Sequence, residues 1–170
     1  RALVTEKLKE HGISPNWRDM VPRRPTVVSP EFTVEAISVT HSMMDTVAIA
    51  LRTPAGVIIH SGDFKIDPHP PDGVAFDHYA FARYAEESEE GVLLLMSDST
   101  NVDRSGSCPS ETEVIPGIEK ILRESTTAVI ISTFASSLHR IQTILNLAAD
   151  CDRTVRSEER RVGKECRSRW

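Results

Sequence analysis

The stretch Val39-Thr40-His41-Ser42-Met43-Met44-Asp45, with Ile59-His60-Ser61-Gly62-Asp63-Phe64-Lys65 a short way downstream, decides how this chain is read. Each closes an apolar, β-branched run with a residue that metals bind. Val34 to Val39 leads into His41, Val47 to Leu51 forms a middle run, and Val57 to Ile59 leads into His60-Ser61-Gly62-Asp63. Strands packed side by side bring their ends to a common rim, so His41 and Asp63 are expected to meet there. An imidazole and a carboxylate suit Zn²⁺ or a similar divalent cation. Gly62 lets the backbone turn sharply or approach an ion closely. Taken singly, a histidine is most often packed or at the surface, and a Gly-Asp pair is most often a turn. Two such residues at two strand ends shift the reading to a metal.

Working outward, the chain divides into short elements. Residues 1–12 have helical spacing at Leu3, Val4 and Leu8, with Gly12 as the stop. Pro15 to Arg24 is a polar connection whose Arg23-Arg24 pair reads as a solvated loop. Thr26 to Val28 and Phe32 to Val39 read as strands. Thr53-Pro54-Ala55-Gly56 has turn chemistry, so the runs on either side form a hairpin. Asp67-Pro68-His69-Pro70-Pro71-Asp72-Gly73 reads as a rigid surface turn.

A helix is expected over Phe76 to Glu90, with Tyr79 and Phe81 as packing candidates. Gly91 to Met96 has the continuous apolar character of a buried strand and delivers Asp98 to the rim of His41 and Asp63. Ser110-Glu111-Thr112-Glu113 has the form of a capping box. Ala128 to Ser132 reads as a strand and Leu138 to Ala149 as an amphipathic helix. The alternation from Ser110 onward implies a doubly covered sheet.

Composition sets outer limits. At 170 residues, 39% hydrophobic and 5% aromatic, the chain suits one α/β domain with a real core. Neither a membrane-spanning run nor a signal-peptide pattern is present. Cys108, Cys151 and Cys166 lack C-x-x-C spacing and read as reduced thiols of a cytoplasmic protein. The segment from Arg156 to Trp170 resembles an in-frame translation of a sequencing-library adaptor and is set aside from the fold. It carries many of the basic residues, so the remainder is more acidic than the formal net charge of −5. That charge disfavours a polyanionic partner such as RNA unless bound cations or a basic groove offset it.

T-H-S-x-x-D at Thr40–Asp45 and I-H-S-G-D-F-K at Ile59–Lys65 resemble two metal motifs of the metallo-β-lactamase fold. In detail they resemble the β-CASP branch, and within it the ribonuclease J family. The similarity extends to Leu94–Asn101 and to Thr133–Gln142, in the same order. It implies part of a metallo-β-lactamase αββα sandwich over 1–105, then the start of a β-CASP α/β insert over 106–155. The function implied is metal-dependent hydrolysis of RNA phosphodiesters, exo- or endonucleolytic, with two divalent ions, Zn²⁺ first among them.

In that frame His41 and Asp63 are metal ligands, Asp63 the bridging one. Asp98 orients a histidine or assists proton transfer to the leaving group. Asp45 hydrogen-bonds the far side of the His41 ring, and His60 lies behind the ligands. His139 and Arg140, at a helix start, are candidate RNA contacts. RNA is the implied partner, a membrane is not, and the resemblance allows a homo-oligomer of the full-length protein.

The pattern also departs from the family. H-x-H-x-D-H, which supplies most ligands in this fold, is absent, as are the histidine motifs that close the β-CASP region. The expectation is therefore an internal fragment, inactive by itself. Two alternatives stay open: a non-catalytic RNA-binding or scaffold relative that has lost its metal cluster, and a hydrolase of small esters.

Overall fold

The computed structural model describes residues 2–87 and 91–158. The expected helix end at 88–90 and the adaptor-like tail from 159 onward lie outside the described residues. Element order is α1 (Ala2–Glu10), β1 (Thr26–Val27), β2 (Thr33–Ser38), β3 (Val47–Thr53), β4 (Gly56–His60), α2 (His78–Glu86) and β5 (Val92–Met96). A 3₁₀ turn (Glu111–Val114), α3 (Ile115–Glu124) and α4 (Leu138–Asp150) follow.

The five strands form one mixed sheet in the order β1-β2-β3-β4-β5. β1 to β4 are antiparallel neighbours, whereas β5 runs parallel to β4. The sense of the strands has one decisive consequence: β2, β4 and β5 all end at the same edge. The expected hairpin is present, with Thr53 opposite Gly56 and only Pro54 and Ala55 between them.

Alternation along β2 turns Glu35, Ile37 and Val39 to one face. The register sets Ile37 opposite Ala48 and Glu35 opposite Ala50, with Ala50 in turn opposite Ile59. These small and branched side chains leave room for α2, whose Ala80 and Tyr84 complete the core with Ile37, Val39, Ala48, Ala50 and Ile59. Asp77 caps α2, its carboxylate accepting from the Ala80 N–H at 3.1 Å. Phe76 before the cap stacks on Phe81 with ring centroids 5.3 Å apart, a hydrophobic staple.

One charged side chain sits on the core face. Glu35 is 1% exposed, accepts from the Tyr84 hydroxyl at 2.7 Å and pairs with Arg83. Arg52 and Arg83 each lie 4.8 Å from the Tyr84 ring centroid. Burial, and then the Glu35 carboxylate, push the Tyr84 hydroxyl up to about 12.

Several expectations need correction. Tyr79 is 82% exposed, because the Asp77 cap sets the helix phase so that Ala80 and Tyr84 face the sheet. Arg23 is not merely solvated: it adopts φ 63 and donates to both Asp77 oxygens at 2.6 and 2.8 Å. Of the apolar face expected on α1, the Leu3 side chain is outside the described set, Val4 is exposed and Leu8 half-buried.

β5 forms where expected but is not buried. Leu93 to Met96 are all exposed, for β5 is an edge strand with a neighbour on one side only. Ala128 to Ser132 forms no strand, and Ile130 is 95% exposed, since no described strand offers it a ladder. The doubly covered second sheet is accordingly absent among the described residues. What does appear after Ser110 is the capping box, with the Ser110 N–H donating to Glu113 at 3.2 Å, followed by a helix pair.

The loop after the rim was expected to be a surface turn, yet it contains a buried charge. Asp67 is 3% exposed and accepts from the His69 N–H at 3.0 Å and the Glu111 N–H at 2.9 Å. Burial by itself would raise its pKa. The Glu111 N–H, the Ser110 hydroxyl, the His69 N–H and Lys65 outweigh burial and hold it at about 2, against 3.8 for a free aspartate.

A carboxyl depressed in the folded state stabilises the fold above its unfolded pKa and loses that contribution as pH falls through the folded value. Stability should therefore decline by roughly 2 kcal/mol between about pH 4 and pH 2 through this group. Asp67→Asn should flatten that part of the profile in urea melts at a series of pH values. An unchanged acid limb in the variant would remove Asp67 as its source.

Candidate metal centre

Three strand ends build the rim. Beyond β2, Thr40 pairs with Lys65 in an isolated antiparallel bridge, with the Lys65 N–H donating to the Thr40 carbonyl at 2.8 Å. That bridge joins the residue before His41 to the residue two after Asp63. Beyond β5, the Asp98 carboxylate accepts from the Phe64 N–H at 3.4 Å. The His41, Asp63 and Asp98 segments thus lie along one edge.

Two buried hydroxyls hold these ends together, and the sequence reading missed both. The Thr40 hydroxyl donates to the Lys65 carbonyl and accepts from the Asp67 N–H at 3.1 Å. The Ser61 hydroxyl donates to the Gly62 carbonyl at 2.7 Å and accepts from the Asp98 N–H at 2.8 Å. Both side chains are at most 5% exposed. A signal existed: each hydroxyl sits beside a histidine where a strand runs out, where backbone N–H and C=O groups leave the ladder and need partners.

The acidic and imidazole side chains differ in their surroundings. Asp63 is exposed, and its carboxylate has no hydrogen-bond or ion-pair partner among the described residues. Asp98 is engaged: the Thr100 hydroxyl and N–H donate to it at 2.7 and 2.9 Å. Those two bonds, then the Phe64 N–H and the nearby His41, hold the Asp98 carboxyl below the usual aspartate range. The half-buried His41 ring has Nδ1 3.3 Å from the Ser42 hydroxyl. Asp45 is exposed at φ 57, with no hydrogen bond to His41 among the described residues. His60 is also exposed, and its Nδ1 accepts from the Gly62 N–H at 3.0 Å.

His41 and Asp45 line a cleft of about 500 Å³ together with Asp19, Asp72 and His139. His139 is 7% exposed and its Nε2 lies 3.5 Å from an Asp72 oxygen. The structure therefore sets His139 on the same cleft as His41, though nearly a hundred residues separate them. Arg140 points its fork at Glu111, donating at 2.6 and 2.9 Å.

The donor chemistry at the rim is nitrogen and oxygen, as a hard or borderline divalent cation requires. The number of donors is the limit. No group of three His, Cys, Asp or Glu placed to hold a metal occurs among the described residues. His41 and Asp63 carry donor atoms of the kind such a cation takes, and among the described residues they complete no ligand set.

Comparison with known proteins gives this rim a context. The chain is 43% identical over 156 residues to ribonuclease J of Synechocystis, covering 91% of this chain and 24% of that protein. It is 39% identical to ribonuclease J of Helicobacter pylori over 90% of the chain, and 38% identical to that of Thermus thermophilus over 95%. This chain is homologous to part of ribonuclease J. It spans about a quarter of the length of the curated relatives it matches.

No family model matches. A crystal structure of a protein of unknown function from Enterococcus faecalis V583 is similar with a TM-score of 0.55 and 17% identity, covering 79% of this chain and 32% of that one. That likeness concerns the mixed α/β fold alone. The metallo-β-lactamase assignment follows from ribonuclease J homology rather than from the sheet.

Gly62 is the point where this geometry is most easily broken. It adopts φ 62, and a Cβ there would lie 2.9 Å from the Val47 carbonyl oxygen. Backbone oxygen cannot yield as a side-chain tip can. Gly62→Ala should cost roughly 1–3 kcal/mol in urea melts. A variant within about 0.5 kcal/mol of the parent, the range of ordinary surface substitutions, would contradict this geometry.

Proposed function

We propose that this chain supplies part of the catalytic centre of a metal-dependent ribonuclease that hydrolyses RNA phosphodiester bonds. The carrying observation is a conjunction. Ribonuclease J homology covers nine tenths of the chain, and the residues singled out by the T-H-S-x-x-D and I-H-S-G-D-F-K motifs stand along one edge of the sheet.

Two divalent ions in the full-length protein, Zn²⁺ first among them, would polarise the phosphate and supply a hydroxide nucleophile at neutral pH. His41 offers a ring nitrogen whose partner nitrogen sits beside the Ser42 hydroxyl, which fixes the ring. Asp63 offers a carboxylate that no described neighbour has claimed, so binding a cation displaces no existing bond.

Asp98 is suited to orienting groups rather than to donating a proton. Its carboxyl is held low by the Thr100 hydroxyl and N–H, so it is ionised at neutral pH, and a weakly basic carboxylate is a poor proton carrier. Among the roles open to it, accepting a hydrogen bond from a neighbouring imidazole is the better match. His139 lies on the cleft beside Asp72, and in this reading its role is contact with RNA at the cleft wall. Arg140, with its fork committed to Glu111, is less suited to a phosphate.

We place the full-length protein in the cytoplasm, where reduced thiols and an RNA substrate coincide; no helix of the described residues is long and apolar enough to cross a membrane. A homo-oligomer of that protein fits the same reading.

A second reading is a non-catalytic, RNA-binding or scaffold relative that has lost its metal cluster. The described residues gather no three metal donors, which a non-catalytic, RNA-binding relative and a fragment of an intact metal centre would both show, so the full-length protein decides. Calorimetry and activity separate the two. In a full-length ribonuclease carrying this chain, two zinc ions should bind and Asp63→Ala should abolish RNA cleavage, while Arg104→Ala leaves it intact. The chain by itself should bind zinc weakly. Retained turnover in the Asp63 variant would defeat the assignment, and absence of zinc from the full-length protein would favour the scaffold.

A further inference from the structure

Several hydrogen bonds and ion pairs tie the helices after Ser110 to one short segment of the rest of the molecule. The Ser110 hydroxyl donates to the His69 carbonyl at 2.8 Å, and the Glu111 N–H donates to Asp67 at 2.9 Å. The Glu111 carboxylate lies 3.5 Å from Lys65 Nζ, and His139 reaches Asp72. All four ties end on residues 65–72, the continuation of the Asp63 loop. The connecting stretch 99–109 is exposed throughout, so it adds little to the attachment.

Glu111 is the hub. Its carboxylate takes both arms of Arg140 from α4 and faces Lys65 from the rim, while its N–H reaches the buried Asp67. Burial is the largest single influence on the Glu111 carboxyl and would raise its pKa; Arg140 and then Lys65, by hydrogen bond and charge, together outweigh burial and hold it down. Asp67 and Lys65 are in turn laced to Thr40, the residue before His41, by the Thr40 hydroxyl and carbonyl. A continuous run of contacts, charge-assisted as far as Asp67 and Lys65 and neutral hydrogen bonds from there to Thr40, thus leads from α4 through Glu111 to the strand end that carries His41.

The geometry points to Glu111 as a positioning residue: it couples the placement of α4, with His139 on the cleft wall, to the loop that presents Asp63. Movement of the helix pair, as when a strand of RNA enters the cleft, would reach the rim through these bonds. The functional consequence rests on the reading of Asp63 as a metal-binding carboxylate. The mechanical coupling does not.

Hydrogen exchange on the full chain tests the coupling. The informative amides are Lys65, Asp67 and His69, which donate to Thr40, Thr40 and Asp67 respectively. Arg140→Gln should raise their exchange at least tenfold while β2–β4 amides stay as protected as in the parent. Arg140→Lys, which keeps the charge but not the fork, should restore part of that protection. Should Arg140→Gln fail to fold, Glu111→Gln is read by the same criteria.

A rise confined to α4 overturns the coupling, and so does a rise spread evenly over β2–β4. If exchange propagates to the rim but Asp63→Ala leaves metal binding untouched, the coupling stands and the metal reading fails. The reverse pattern leaves the metal reading and removes Glu111 from it.

Discussion

Everything at the rim depends on how Thr40 is bonded. Its carbonyl and hydroxyl take the Lys65 N–H and Asp67 N–H, and its hydroxyl gives its proton to the Lys65 carbonyl. A buried hydroxyl in this position answers two backbone groups that have run past the end of the sheet, and the Thr40 carbonyl answers a third. Leaving even one such group without a partner costs about 1–3 kcal/mol. The loop that carries Asp63 is therefore fixed against the segment that carries His41, and Ser61 does the same between β4 and β5. Strand direction brings the ends to one edge, and two hydroxyls keep them there.

The carboxylates show how the chain allots its charges. Glu35, Asp67, Asp77, Asp98 and Glu111 each have donors, and each serves a structural junction: the core face, the rim loop, the α2 cap, the β5 end and the helix pair. Asp63 differs in being exposed and unclaimed among the described residues. A buried ionised group demands partners, whereas an exposed one tolerates their absence at little cost. An anionic side chain left open on a rim otherwise stitched by hydrogen bonds is suited to receive something from outside the chain.

Much of this was legible in the sequence, for identifiable reasons. The hairpin across Pro54-Ala55, the Ser110 capping box and the edge shared by His41, Asp63 and Asp98 follow from local turn chemistry and from apolar runs of strand length. Local rules fail where burial depends on distant neighbours. The apolar run 92–96 reads as a buried strand, yet sits at an exposed edge, and 128–132 has strand composition without a strand to pair with. Glu35 and Asp67 carry no sequence signal of burial, since their partners Tyr84 and Glu111 come from segments more than forty residues away. Arg23 could not be matched to Asp77 for the same reason.

The shared rim itself can be measured with a paramagnetic ion, which reports proximity even when binding is weak. In a manganese titration of the chain followed by NMR, amide signals of 40–42, 62–64 and 97–98 should broaden together, at the same added concentration. Broadening of the 62–64 signals with those of 40–42 left sharp would show that the imidazole and the carboxylate do not share an ion, and would contradict the account.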